Sequence, residues 1–139
     1  MSAFECQVRV YYADTDAGGV VFHGNYLKYF DQARSELLGR GSIGQHAFRE
    51  QRGIVFAVRA LSVDYLNPSH LDDLLTIRSS VKQLGKVTMK FFQQVWREDT
   101  LLAEGDIKLA CVDIRRRRVV AVPEDVRAYL ESVVARQSM

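Results

Sequence analysis

Residues 14–26 read Asp14-Thr15-Asp16-Ala17-Gly18-Gly19-Val20-Val21-Phe22-His23-Gly24-Asn25-Tyr26, which places two carboxylates, three glycines and a histidine in one short segment. An aspartate can attack a carbonyl carbon or take a proton from water, and a histidine can titrate near neutral pH or lend its backbone N–H to a developing oxyanion. A helical period begins at Asn25. The segment therefore ends at a helix N-terminus, where unpaired N–H groups and the positive end of the macrodipole favour negative charge. With Asp16 facing that terminus, one site would contain a base or nucleophile, an oxyanion hole and an imidazole. Asp14 reads as the acid that shapes the loop, since an aspartate in a glycine-rich segment commonly stabilises turns. The pair resembles the first and third positions of a calcium loop. Gly18 and Asn25 at the fifth and twelfth positions leave too few ligands, and no metal is expected. A strand followed by Asp-x-Asp also suggests an aspartate phosphotransferase with Asp72-Asp73 as its acidic partner, but alternating strand–helix units are missing.

The elements that must hold this segment can be read from periodicity. Residues 6–12 alternate apolar and polar side chains as a half-buried strand does, and residues 13–24 break the pattern as a loop. Tyr26, Phe30, Ala33 and Leu37 recur at helical spacing, with Leu27, Tyr29 and Leu38 widening the stripe, until Gly39 and Gly41 end it. A short helix is expected at 43–50, long strands at 54–66, 74–84, 87–97 and 101–114, a last short strand at 119–122, and a helix from Glu124 to about Arg136 started by Pro123. The separators around Asn67-Pro68-Ser69, Gly85-Lys86 and Glu98-Asp99-Thr100 are too short for crossover helices, so consecutive strands are expected to be antiparallel neighbours. The predicted class is α+β, with one long helix wrapped by a curled antiparallel sheet of five to six strands.

At 139 residues, 47% hydrophobic and 26% charged, the chain suits one domain over 1–139 with one core. Seven Phe, six Tyr and only two Pro supply enough apolar area to exclude disorder. A net charge of +2 is too mild for a protein that binds bulk nucleic acid, and no apolar run is long enough to span a bilayer. The first six residues, Met-Ser-Ala-Phe-Glu-Cys, lack the basic and apolar regions of a signal peptide, so a cytoplasmic location is expected. Cys6 and Cys111 have no metal-ligand spacing and read as reduced, partly buried thiols.

The run from Val8 through Tyr26 resembles the signature of the hotdog-fold acyl-CoA thioesterases of the hydroxybenzoyl-CoA thioesterase type, and most closely the YbgC-like branch associated with the bacterial Tol-Pal system. The likeness continues through Arg52-Gly53-Ile54-Val55-Phe56, Val63-Asp64-Tyr65, Leu71-Asp72-Asp73-Leu74-Leu75-Thr76-Ile77 and Ala110-Cys111-Val112-Asp113, and so covers nearly the whole chain. It implies that Asp16 is the catalytic carboxylate. It also implies that His23, where the hydroxybenzoyl branch has a tyrosine, supplies the oxyanion N–H, and that Tyr12 belongs to the site; read from the pattern alone, Tyr12 is a core aromatic at a strand end. Gly24, Lys86, Arg115 and Arg116 are the substrate-binding candidates. Lys86 aligns with a nucleotide-binding position whose second basic residue is here Val87, and Arg115 to Arg118 form a basic turn suited to phosphates, to anionic lipid headgroups or simply to solvent.

The implied activity is hydrolysis of acyl-CoA to free acid and CoA without a cofactor. Acyl carrier protein is an alternative carrier, and peripheral membrane association is a further expectation. Family members pair sheet edge to sheet edge, which implies a dimer or tetramer with sites near the subunit boundary. A dehydratase acting on acyl carrier protein and a non-catalytic acyl-binding or scaffold protein are the rival readings.

Overall fold

The structure is a computed structural model that describes residues 4–138; residues 1–3, on which the reading of the N-terminus partly rests, and residue 139 lie outside the described residues. The six strands are β1 (Phe4–Arg9), β2 (Ile54–Tyr65), β3 (Leu74–Leu84), β4 (Thr88–Arg97), β5 (Thr100–Asp113) and β6 (Arg118–Val119). The helices are α1 (Asn25–Gly39), α2 (Gln45–Arg52) and α3 (Glu124–Gln137). Every strand pairing is antiparallel, in the order β1-β3-β4-β5-β2, and β6 adds to the end of β5.

Alternation turns one face of each central strand inward. Leu75, Ile77, Ser79 and Val81 of β3 and Met89, Phe91, Gln93 and Val95 of β4 are buried, while the residues between them are half-buried or exposed. That face curls around α1, whose Tyr26, Tyr29, Phe30, Ala33, Leu37 and Leu38 are buried as the spacing predicts. Each large side chain so enclosed contributes about 1.5–3 kcal/mol of transfer free energy. This is the hotdog arrangement, a helix wrapped by its sheet. The stripe also buries Arg34, which apolar periodicity does not foresee; its guanidinium donates to Gln93 Oε1 at 2.9 Å. Helix α3 packs beside the C-terminal end of α1, where the Tyr129 hydroxyl donates to the Leu37 carbonyl, and is anchored to β3 where Gln137 bonds both the N–H and the carbonyl of Val81, beside a bulge.

The structure corrects several expectations. Strand β1 stops at Arg9, and Tyr12 lies in a 3₁₀ turn (Tyr12–Asp14) with 80% of its surface exposed, so it is not a core aromatic. Strand β2 does not neighbour β3: it pairs with β5 at one edge of the sheet, while β3 pairs with β1 and β4. Residues 66–73 instead bridge across the open end of the curled sheet, with Leu66 and Asn67 N–H bonded to the Leu102 carbonyl. The left-handed residue after α1 is Ser42, and Gly41 is required because a Cβ there would strike the ring of Tyr129. The last strand is limited to Arg118 and Val119, bonded to the end of β5. Both cysteines are free and burial raises their thiol pKa values, for Cys111 to about 11, which leaves them unreactive.

Candidate active site

The segment from Asp14 to Phe22 is a tight hairpin leading into α1. Asp14 and Phe22 are joined by the Phe22 N–H, Thr15 bridges Val21, and the Asp16 N–H bonds the Val20 carbonyl. Gly19, at φ +81°, closes the turn in a conformation that suits glycine. The hairpin is braced from outside by residues 66–73: Val20 bridges His70, and the Val21 N–H donates to the Ser69 carbonyl. Ser69 is fully buried, and its hydroxyl lies 2.6 Å from the Tyr26 hydroxyl on α1.

Asp14 is the buried anchor of this assembly, as read from the sequence. Its Oδ2 accepts the Tyr11 N–H at 2.9 Å, its Oδ1 accepts the Lys28 ammonium at 3.1 Å, and its carbonyl takes the Asn25 side-chain amide at 2.7 Å. Burial pushes its carboxyl up, but the Tyr11 N–H and Lys28 more than offset that and hold it below the usual carboxylate range. Asp16 behaves differently. It is exposed, and its Oδ1 accepts the Gly18 N–H at 2.8 Å. Among the described residues no hydrogen bond joins it to His23 or to the first turn of α1.

At the helix start, the carbonyls of Phe22, His23 and Gly24 accept the N–H groups of Asn25, Tyr26 and Leu27. The N–H groups of His23 and Gly24 have no acceptor among the described residues, and these are the two donors available to a ligand. At Gly24 a Cβ would stand 2.8 Å from the half-exposed Phe22 ring, which would have to rotate to admit it. Beside these donors is a cavity of about 250 Å³ lined by Val21, His23, Tyr26, Tyr65, Leu66 and Pro68. The His23 imidazole is edge-on to Tyr65, with ring centroids 5.9 Å apart. Sequence reasoning placed Tyr26 only in the core stripe and gave Tyr65 and Ser69 no role. No local pattern marked them: Tyr65 ends β2, and only Ser69 lies in the link that closes the open end of the sheet.

The basic candidates lie elsewhere. Lys86 is in the β3–β4 turn, and Arg115 and Arg116 follow the end of β5 beside the start of β2; His23 and Tyr65 are at the opposite end of β2. Strands of ten to fourteen residues hold the two ends roughly 30 Å apart, so one chain does not bring these cations to Asp16 and His23. Arg115 donates to the Glu50 carbonyl, and the Arg116 and Arg115 N–H groups both bond Asp113 Oδ1, holding that carboxyl below its ordinary range. Among the described residues no cluster of metal-ligating side chains occurs, and no helix is long and apolar enough to cross a membrane.

A curled antiparallel sheet wrapped around one helix is the arrangement of a hotdog domain. The chain belongs to the thioesterase superfamily, whose sequence model matches residues 18–104. It is 39% identical over 127 residues to the acyl-CoA thioesterase YbgC of Haemophilus influenzae, covering 91% of this chain and 93% of that one. It is 37% identical over 126 residues to the acyl-CoA thioester hydrolase YbgC of Escherichia coli O6:H1, covering 90% and 93%. Among solved structures, a hypothetical protein from Thermus thermophilus superposes with a TM-score of 0.86 at 31% identity, covering 96% of this chain and 99% of that one.

Proposed function

We propose that this thioesterase-superfamily chain hydrolyses acyl-CoA, with Asp16 as nucleophile or general base and the N–H groups of His23 and Gly24 as the oxyanion hole. The observation that carries the reading is the pair of unbonded N–H groups at the start of α1, opening on a cavity lined by Tyr26 and Tyr65. The likeness to the two YbgC proteins, named for acyl-CoA thioester hydrolysis, supports the substrate class. A thioester suits so sparse a site because its leaving thiol has a pKa of about 8.5, by analogy with free cysteine, and departs without acid assistance. In one route an Asp16 oxygen bonds to the carbonyl carbon, the C–S bond breaks to release CoA thiolate, and water then cleaves the mixed anhydride; in the other Asp16 takes a proton from a water whose oxygen bonds to the carbonyl carbon, and the C–S bond then breaks to release CoA thiolate, which takes up that proton. Each oxyanion donor is worth roughly 3 kcal/mol of barrier.

The exposure of Asp16 and the distance to the basic residues are both explained by a partner subunit. Strand β2 has a free edge on which residues 57–62 are all exposed, with Val58 and Leu61 at 49% and 45%. Twofold antiparallel pairing along that edge sets the start of one β2 against the end of the other. Lys86, Arg115 and Arg116 of one subunit then approach the His23 end of its mate, where CoA phosphates would lie. Tyr12, exposed and joined through its carbonyl to the Thr15 N–H, would border the same entrance. A dimer or tetramer in the cytoplasm, in a Tol-Pal setting, is the assembly this reading favours. Asp16→Asn tests it, because the exposed Asp16 oxygen bonds only the Gly18 N–H, which an amide oxygen also accepts. Turnover should fall by roughly a thousandfold or more with melting temperature unchanged; near-normal turnover refutes the assignment. The exposure of Asp16 also favours a second reading, a non-catalytic acyl-binding protein, and wild-type silence across an acyl-CoA panel would select it.

A further inference from the structure

The seam between α1 and β2 holds two cavities in succession. The first, beside His23, has Tyr26 on the helix and Tyr65 on the strand. The second, also about 250 Å³, lies further along and is lined by Leu27, Phe30, Asp31 and Arg34 of α1 and by Val58 and Leu61 of β2. Positions 27, 31 and 34 follow one ridge of α1, just after His23, while 65, 61 and 58 run back along the strand, so the second cavity lies on the same seam further from the N–H groups of His23 and Gly24.

Its walls are apolar except at the far end. Arg34 is only 6% exposed. One terminal nitrogen donates to Gln93 Oε1, and Gln93 is itself fully buried and fixed by donating to the Ser79 hydroxyl at 2.8 Å and the Phe30 carbonyl at 3.0 Å. The other terminal nitrogen is 3.7 Å from Asp31 Oδ1, beyond hydrogen-bond distance, and the Asp31 side chain is 66% exposed. Among the described residues the remaining N–H groups of Arg34 have no acceptor. A buried guanidinium is unfavourable unless its donors are met, and apolar packing at this contact would avoid the penalty. Burial accordingly lowers its pKa, with Asp31 acting in the opposite direction.

We propose that, within the thioesterase site described above, the second cavity receives the far end of the acyl group, and that Arg34 and Asp31 together recognise a hydroxyl carried there. The two side chains sum to zero charge and present unmet donors beside an acceptor. A hydroxyl can accept from Arg34 and donate to Asp31. A terminal carboxylate would meet the Asp31 charge, and a terminal methyl would cover the Arg34 donors without bonding them. The eleven residues from His23 to Arg34 advance about 16 Å along the helix axis, and the arginine side chain reaches back by about 6 Å toward the helix N-terminus. The remaining gap of about 10 Å corresponds to about eight bonds of extended chain at about 1.2 Å each, the separation of carbonyl carbon and oxygen in an 8-hydroxyoctanoyl group.

The test compares kcat/KM for the CoA thioesters of 8-hydroxyoctanoic, octanoic and suberic acids, each divided by the value for butyryl-CoA, whose chain stops short of the second cavity. Wild type should favour the hydroxyacyl thioester over octanoyl by about tenfold or more, and over suberyl as well. Arg34→Met should erase that preference mainly through KM, and Arg34→Lys should restore part of it. Asp31→Asn, at an exposed position that folding tolerates, should weaken the hydroxyl preference and relieve the discrimination against suberyl. Octanoyl or suberyl equalling the hydroxyacyl substrate in wild type, or a preference unchanged in both Arg34→Met and Asp31→Asn, overturns the proposal; if Arg34→Met fails to fold, wild type and Asp31→Asn decide. If no thioester is hydrolysed the thioesterase reading itself fails. Calorimetric binding of 8-hydroxyoctanoate against octanoate then tests Arg34 independently of turnover: tighter binding of the hydroxy acid supports its role, and equal binding overturns it.

Discussion

Replacing Asp14 by asparagine separates the scaffold of the hairpin from its chemistry. The side chain is 4% exposed and holds the Tyr11 N–H and the Lys28 ammonium, while its carbonyl joins Phe22 and Asn25. Asparagine keeps the shape and one acceptor but loses the charge. A hydrogen bond to a charged group is worth about 1.5–3 kcal/mol against about 0.5–1.5 for a neutral one. The Lys28 pair adds at most about 1 kcal/mol because the lysine side chain is 52% exposed. The net loss is about 1–2 kcal/mol, which for a domain of this size lowers the melting temperature by about 2–8 °C. The pH dependence has a definite sign. The folded carboxyl of Asp14 is held below its ordinary range, so its stabilisation is complete above the unfolded pKa of about 3.9 and is lost as pH falls through the folded value. The gap between wild type and Asp14→Asn should therefore be full at pH 7 and close below about pH 4. Thermal melts at one fixed protein concentration, stepped from pH 7 to 3, measure it. Equal melting at pH 7, or a gap undiminished at pH 3, refutes the reasoning. Loss of hydrolysis with no loss of stability would exchange the roles of Asp14 and Asp16.

Two further substitutions probe the sheet and the cations. Gly105→Ala would drive a Cβ into the Ser62 carbonyl oxygen on the paired strand β2, so denaturant unfolding should show a loss of about 1–3 kcal/mol or more; unchanged stability would contradict the close strand approach. Lys86→Ala and Arg116→Ala should each raise KM for acyl-CoA by about three- to tenfold at low ionic strength with kcat nearly unchanged, and the effect should shrink with added salt. A KM unaffected at low salt removes these residues from the nucleotide site.

The parts of the fold legible in the sequence are those where a single period dominates. The α1 stripe and the alternation of β3 and β4 carry their own burial pattern, and those elements fall where periodicity places them. Strand order is different. Short links suggest that β2 and β3 are neighbours, yet the sheet curls so far that residues 66–73 can cross its open end and leave β2 at an edge, a tertiary consequence that local spacing does not contain. Arg34 and Gln93 were illegible for a related reason: a polar side chain in an apolar stripe is explained only when a partner arrives from another element, here across 59 residues. For the site, residue types and spacing suggest Asp14, Asp16 and His23 as one cluster; the structure puts Asp14 and Asp16 on the hairpin and His23 at the start of α1, with no hydrogen bond between Asp16 and His23 among the described residues. What the sequence withheld was orientation, because the direction of the Asp16 carboxylate is settled by the Gly18 N–H and, on the proposed reading, by a second chain.

On the proposed reading, assembly and catalysis are joined at β2. A free edge of twelve residues with Val58, Leu61 and Tyr65 exposed is a template for strand pairing, and its defences are one bulge at Arg59 and the charges of Arg59 and Asp64. The two ends of that edge differ in character: the start adjoins Arg115 and Arg116, and the end adjoins His23 and its cavity. In the proposed twofold assembly a rotation axis through the middle of β2 exchanges the ends, so each cationic turn would meet the neighbour's His23 and Gly24 N–H groups and each exposed Asp16 would gain a wall. A parallel or displaced pairing would cover the same apolar edge but would leave the cations and the site roughly 30 Å apart. On the proposed reading, the twofold pairing is the one that also completes a place for a nucleotide-bearing thioester.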